Sequence, residues 1–222
     1  DRYIEYVSWL ANIAATCEKI LQEIRNLQRS EIQEAGEGFD VKKQVGSSTM
    51  AHKKNPIKSE NASGLARIVR SMIIPTYENA LLWHERDLAN SSSERFTLSH
   101  GSALCEDVIA KTRDVLTNMW VDAERCLENI KAQRGLVMAE KVMIDLVDRG
   151  IPRDEAHEIL REASFTAVAN KEELIDVCSR TPAVSTAFSA EELEAMFDPA
   201  NHIGVSGELV DECVALARAA IQ

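Results

Sequence analysis

From Tyr3 to Leu27 apolar residues return every three or four positions: Tyr3, Ile4, Val7, Leu10, Ile13, Ala14, Cys17, Ile20, Leu21, Ile24 and Leu27. That period places them on one stripe of a helix, so the chain is committed from its first residues to a long helix with a face to bury. The spacing predicts that this helix runs to about Ile32. No capping residue or polar leader comes before it, and the abrupt opening implies a piece of a longer polypeptide.

Glycines and polar residues then break the period, and from about Glu34 to Pro56 no apolar repeat holds. Loops of that length inside compact helical chains are usually functional or disordered. Pro56 suits the first turn of a second helix, whose stripe is Leu65, Ile68, Val69, Met72, Ile73 and Tyr77. Pro75 lies inside this stripe and predicts a kink. A second polar break, "WHERDLANSSS", precedes a third long helical stretch through Leu104, Val108, Val115, Leu116, Met119 and Leu127.

Beyond Arg134-Gly135 the elements shorten and their punctuation is explicit. Gly150 stops one helix, and Pro152 with Asp154 and Glu155 opens the next. "SAEE" at 189–192 reads as a capping box, and Ser206 is placed to cap a last helix. Almost nothing reads as strand. The expected fold is all-α: long helices over residues 1–130 and a compact helical domain over 131–222.

The formal net charge of −11 excludes a nucleic-acid binder that works through bulk positive charge. Within that acidic chain, residues 41–60 carry five lysines and one acid, which points to a local anion site. Five scattered cysteines without a C-x-x-C spacing suggest neither a disulfide framework nor a zinc site. No apolar run approaches the roughly 20 residues of a membrane span, and no signal-peptide pattern is present. The expectation is a cytoplasmic chain that touches no membrane.

The lysine-rich window contains "GSSTMAHKKNP", Gly46 to Pro56. A Walker loop is excluded, because no second glycine precedes Lys53 and the flanking element is a helix rather than a strand. A serine hydrolase is disfavoured, because His52 on the same loop has no rigid geometry relative to Ser47. Acid–base chemistry remains: a hydroxyl acts as base only where its alkoxide is stabilised, and backbone N–H groups with nearby lysines supply that. Proton removal next to a carboxylate makes an enolate-like dianion, which Lys53 and Asn55 are suited to stabilise. In the second break Arg86, Arg95 and Ser91–Ser93 suit a phosphate or dicarboxylate, or else form a junction salt-bridged by Glu85, Asp87 and Glu94.

"GSSTMAHKKNP" resembles the signature loop of the fumarase/aspartase superfamily, whose members release fumarate by breaking C–N or C–O bonds. "IKSENASGLARIVRS" and "LWHERDLANSSSERF" narrow the resemblance to the adenylosuccinate lyase family. It implies Ser47 as the catalytic base, with Ser48, Lys53 and Asn55 on the succinyl carboxylates of the substrate. It further implies Glu60 as the partner of a catalytic histidine from another subunit, Asn61 as a substrate-binding amide, and Arg86, Ser91 and Arg95 near the phosphate.

The implied activity is β-elimination of fumarate from adenylosuccinate, and from succinyl-aminoimidazole carboxamide ribotide, with no metal or organic cofactor. The implied assembly is a homotetramer with sites shared between subunits. Two departures stand out. Ala51 replaces the family's usual proline, and none of His52, His84, His100, His157 or His202 matches the general-acid histidine. Argininosuccinate lyase, carboxymuconate cycloisomerase and a catalytically silent helical fragment remain as rival readings.

Overall fold

The computed structural model describes residues 1–39, 50 and 53–221, and in it the chain divides into two compact units, Asp1–Cys126 and Leu127–Gln222. The first is a bundle of long helices. Helix α1 (Arg2–Leu27), α2 (Ile57–Ser71) and α5 (Ser99–Asn118) pack together, with the short α3 (Ile73–Glu78) and α4 (Ala89–Thr97) between the last two in sequence.

Alanines let the three long helices approach closely. Ala14, Ala62 and Ala66 are fully buried, beside Leu10, Leu21, Ile24, Val69, Cys105, Val108 and Val115. Polar residues are threaded through the same interior. Ser63 and Thr112 satisfy their hydroxyls on carbonyls one turn back, Ser59 O and Val108 O, at 2.7 Å each.

Three features depart from the sequence expectation. Helix α1 stops at Leu27 rather than near Ile32, because the chain turns there: Ile32 and Gln33 donate backbone N–H groups to Arg29 O, and Gln33 sits at φ 57°. The bend expected from Pro75 appears at Met72, between α2 and α3, on the side where the proline ring meets the preceding turn. The third long helix is interrupted. Asn118 ends α5 by folding its amide onto Asp114, and Met119 is extended.

Directly after Met119 the chain forms a strand, β2 (Trp120–Val121), paired antiparallel with β1 (Ala35–Gly36). The Asp122 N–H donates to Glu34 O at 2.8 Å, and the Arg125 guanidinium donates to Ile32 O at 3.0 Å. The pair needs glycine at 36, since a Cβ there would stand 2.6 Å from the Trp120 ring.

The second unit begins within α6 (Ala123–Ala132). A 3-10 turn (Leu136–Met138) leads into α7 (Ala139–Asp148), α8 (Arg153–Asn170), α9 (Leu174–Arg180), α10 (Pro182–Ala187) and α11 (Ala190–Phe197), and a second (Pro199–His202) precedes α12 (Ser206–Ile221). The boundaries obey the local signals in the sequence. Gly150 at φ 95° ends α7, Pro152 precedes α8, and Ser189 with Glu192 closes a reciprocal capping box on α11. Twelve buried residues, among them Leu146, Leu160, Leu174, Val184 and Leu193, form one continuous apolar core.

Candidate active site

Among the described residues, an open groove of about 940 Å³ lies in the first unit between the end of α1 and the start of α2. Its polar wall carries four cations, Arg25, Arg29, Lys53 and Lys54, together with Gln22, Gln28, Asn55 and Glu60. Trp120 provides an aromatic patch. In a chain of net charge −11, such a surface favours a small anion.

The approach to α2 is built without a local cap. Pro56 stands at the N-cap position and offers no side-chain acceptor, so the first free N–H groups of the helix need one from elsewhere. Glu37 supplies it from upstream. Its Oε1 accepts the Lys58 N–H at 3.1 Å, and its Oε2 accepts the Ser59 N–H at 2.9 Å and the Ser59 hydroxyl at 2.8 Å. The residue is 4% exposed, so these donors and the positive end of the helix replace the water its carboxylate loses.

Gln28, just past the end of α1, joins the same arrangement. Its Oε1 accepts the Glu37 N–H at 2.9 Å, and its Nε2 donates to Lys54 O at 3.0 Å. The Lys53 N–H donates to Met50 O at 3.1 Å. Lys58 reaches across to pair with Asp114 on α5.

Of the residues singled out from the sequence, Lys53, Asn55 and Glu60 meet in this groove. Asn61 comes next on the exposed face of α2 but does not line it. Ser47 and Ser48, like His52 and Ala51, lie outside the described residues.

Arg86, Ser91 and Arg95 belong to a different place. Arg86 is exposed in the turn before α4, whereas Ser91 and Arg95 are on α4 itself, so "ANSSS" is helical where a polar break was expected. The turn is organised by Asp87, which accepts the Trp83 N–H at 2.9 Å and the Ala89 N–H at 2.8 Å. The backbone donors of Ala89 and Trp83 hold its carboxyl below the ordinary carboxylate range. Asp87 is therefore engaged with backbone rather than with either arginine. Nearby, Ser93 donates to Asn79 at 2.5 Å and Asn90 donates to Glu94 at 2.7 Å.

Sequence reasoning missed Glu37, Gln28 and the two arginines of the groove. A signal for Glu37 existed in "GEG": the flanking glycines are forced by close approach, with a Cβ at Gly38 falling 2.2 Å from Asn118 O. An acid between two such glycines is pinned against neighbouring backbone.

Comparison with known proteins gives the same picture from both units. Residues 1–71 match a family model described as lyase, and residues 135–213 match one described as adenylosuccinate lyase C-terminus. The adenylosuccinate lyase of Archaeoglobus fulgidus is 44% identical over 214 residues, which is 96% of this chain and 48% of that protein. That of Methanothermobacter thermautotrophicus is 43% identical over 211 residues, 95% of this chain and 47% of that protein.

Among solved structures, the 3-carboxy-cis,cis-muconate lactonizing enzyme of Pseudomonas putida superposes with a TM-score of 0.86 at 32% identity. That match covers 97% of this chain and 47% of the other. The chain thus spans about half the length of the curated relatives it matches.

Proposed function

Because the chain belongs to the fumarase/aspartase superfamily of lyases, we propose that it supplies part of an adenylosuccinate lyase active site. The observation that carries this reading is the meeting of Lys53, Asn55 and Glu60 in one cationic groove, in a chain 40–44% identical to five adenylosuccinate lyases. The substrate is a nucleotide bearing a succinyl group, adenylosuccinate or the related succinyl-aminoimidazole carboxamide ribotide.

The reaction is a β-elimination. A base, Ser47, takes the proton from the succinyl carbon adjacent to the one bearing nitrogen. The electron pair left behind is shared with the neighbouring carboxylate. Lys53 and Asn55 face that carboxylate and lower the cost of its second negative charge. The C–N bond then breaks, the pair forms the double bond of fumarate, and an acid protonates the departing nitrogen to give AMP. That acid is a histidine outside this chain, with Glu60 as its partner.

Ser48 and Asn61 hold the succinyl end and its surroundings. Arg86, Ser91 and Arg95 receive the phosphate of a substrate bound between subunits. The assembly is a cytoplasmic homotetramer, in which residues 1–130 form half of the central bundle and 131–222 the C-terminal domain. The exposed Tyr3, Trp9, Ile68, Ile109 and Leu116 on the long helices support burial against other copies. No described helix is long and apolar enough to cross a membrane.

The test is to incubate the protein containing this chain with adenylosuccinate and measure fumarate and AMP. Ser47→Ala that turns over at the unaltered rate overturns the assignment of the base. A second reading is favoured by the two muconate-cycloising enzymes, which superpose at TM-scores of 0.86 and 0.85. A substrate panel including 3-carboxymuconate separates the two.

A further inference from the structure

The structure assigns Glu37 and Gln28 as positioning residues that set the height and register of the Lys53–Glu60 segment in the groove. This role rests on the lyase reading. Helix α2 could be capped cheaply by a serine or aspartate at position 56. The chain uses proline there and brings a buried carboxylate from 21 and 22 residues upstream to the N–H groups of Lys58 and Ser59.

A remote cap does what a local one cannot, because it fixes the start of α2 against another part of the chain. Gln28 extends the tie to the end of α1, holding Glu37 N–H with one end of its amide and Lys54 O with the other. Lys53 and Asn55 flank the held Lys54, and Glu60 is next after the held Ser59. All three proposed reacting-site residues are thus immediate chain neighbours of a residue this clamp grips. Glu37 and Gln28 act through them and need not touch the substrate.

Replacing Glu37 by glutamine tests the clamp with little change of volume. Whichever way the new amide turns, either the Lys58 or the Ser59 N–H faces an NH₂ group and loses its acceptor. In the protein containing this chain, Glu37→Gln should lower kcat for fumarate release by about a hundredfold, the scale of an ångström-sized misplacement. KM should move by less than about threefold, because the loss is in the transition state. Hydrogen exchange at Lys58 and Ser59 should quicken while that of α8 stays unchanged.

Gln28→Ala, which keeps the buried charge and its three donors, is the second variant. It should lower kcat in the same direction, and the double variant should lose less than the product of the two single losses. If Glu37→Gln lowers the melting midpoint yet turns over at the unaltered rate well below it, the clamp is only a stabilising cap and the assignment fails. Equal kcat for Gln28→Ala has the same meaning. If the unaltered protein releases no fumarate, it is the lyase reading that fails, and the positioning role falls with it.

Discussion

The two units solve the problem of a helical interior in opposite ways. Leu127–Gln222 is held by one run of twelve buried apolar residues. Asp1–Cys126 divides its apolar interior into clusters of six and four, and all seven of the buried polar or charged residues among those described fall in it. A polar group taken from water must be repaid by a partner, so such an interior is less forgiving per residue and more specific in geometry. The unit that carries the proposed chemistry has given up apolar area to fix where particular backbone atoms lie.

The largest effect expected from this contrast is in the cores. Leu146 and Leu21 are both fully buried. Truncating Leu146→Ala in the continuous core should cost about 4 kcal/mol and Leu21→Ala in the smaller cluster about 3 kcal/mol, measured by denaturant unfolding. Equal or reversed costs would break the comparison.

Next comes Gly38→Ala. Its Cβ would meet Asn118 O at 2.2 Å, a backbone atom that cannot rotate away. The cost should be about 2 kcal/mol. Because the displaced chain leads directly from Glu37, the loss of fumarate release should exceed what stability predicts.

Ser189→Ala removes half of the capping box on α11 and should cost about 1 kcal/mol, with no effect on turnover. The glutamate half of the box carries a pH signature. The Ser189 N–H, then Arg149, holds the Glu192 carboxyl below its ordinary value of 4.5. A depressed folded pKa stabilises above the ordinary value and ceases to do so as pH falls through the folded one. Acid unfolding of the second unit, monitored by circular dichroism below pH 4.5, should therefore be shallower in Glu192→Gln, which has no carboxyl to titrate.

The smallest effect is kinetic. Burial pushes the Cys178 thiol up to about 11 and raises that of Cys105, whereas Cys213 is exposed. Iodoacetamide at pH 8 should label Cys213 first, then Cys105 in the thinner core, then Cys178. Mass spectrometry with time reads the order.

How much of this was legible in the sequence differs between the units for the same reason. In the second unit the signals are local: glycine at a positive φ, proline before a first turn, a serine three residues from its glutamate. In the first unit the all-α class and the stripe of α1 were legible, but the decisive contacts were not. Ile32 keeps the apolar spacing after the helix has ended. The strand pair joins Ala35 to Val121 and Gly36 to Trp120, far apart in sequence, and neither two-residue strand has a periodicity of its own. Glu37 sits in a segment that reads as a glycine-rich break, because its partners are the backbone of a helix 21 and 22 residues on. Lys53 and Asn55 were legible from the chemistry of their segment and Glu60 through the resemblance of its motif, but their common groove only through the fold.

The indole of Trp120, seated over Gly36 at the edge of the groove, gives the protein an optical consequence. The chain has only three tryptophans, and Trp9 and Trp83 are more exposed at 59% and 78%, against 39% for Trp120. Occupation of the groove by an anion changes the polarity seen by Trp120, whereas Trp9 and Trp83 do not line the groove. With Trp9 and Trp83 replaced by phenylalanine, the remaining fluorescence becomes a titration signal for ligand, readable before any bond is broken.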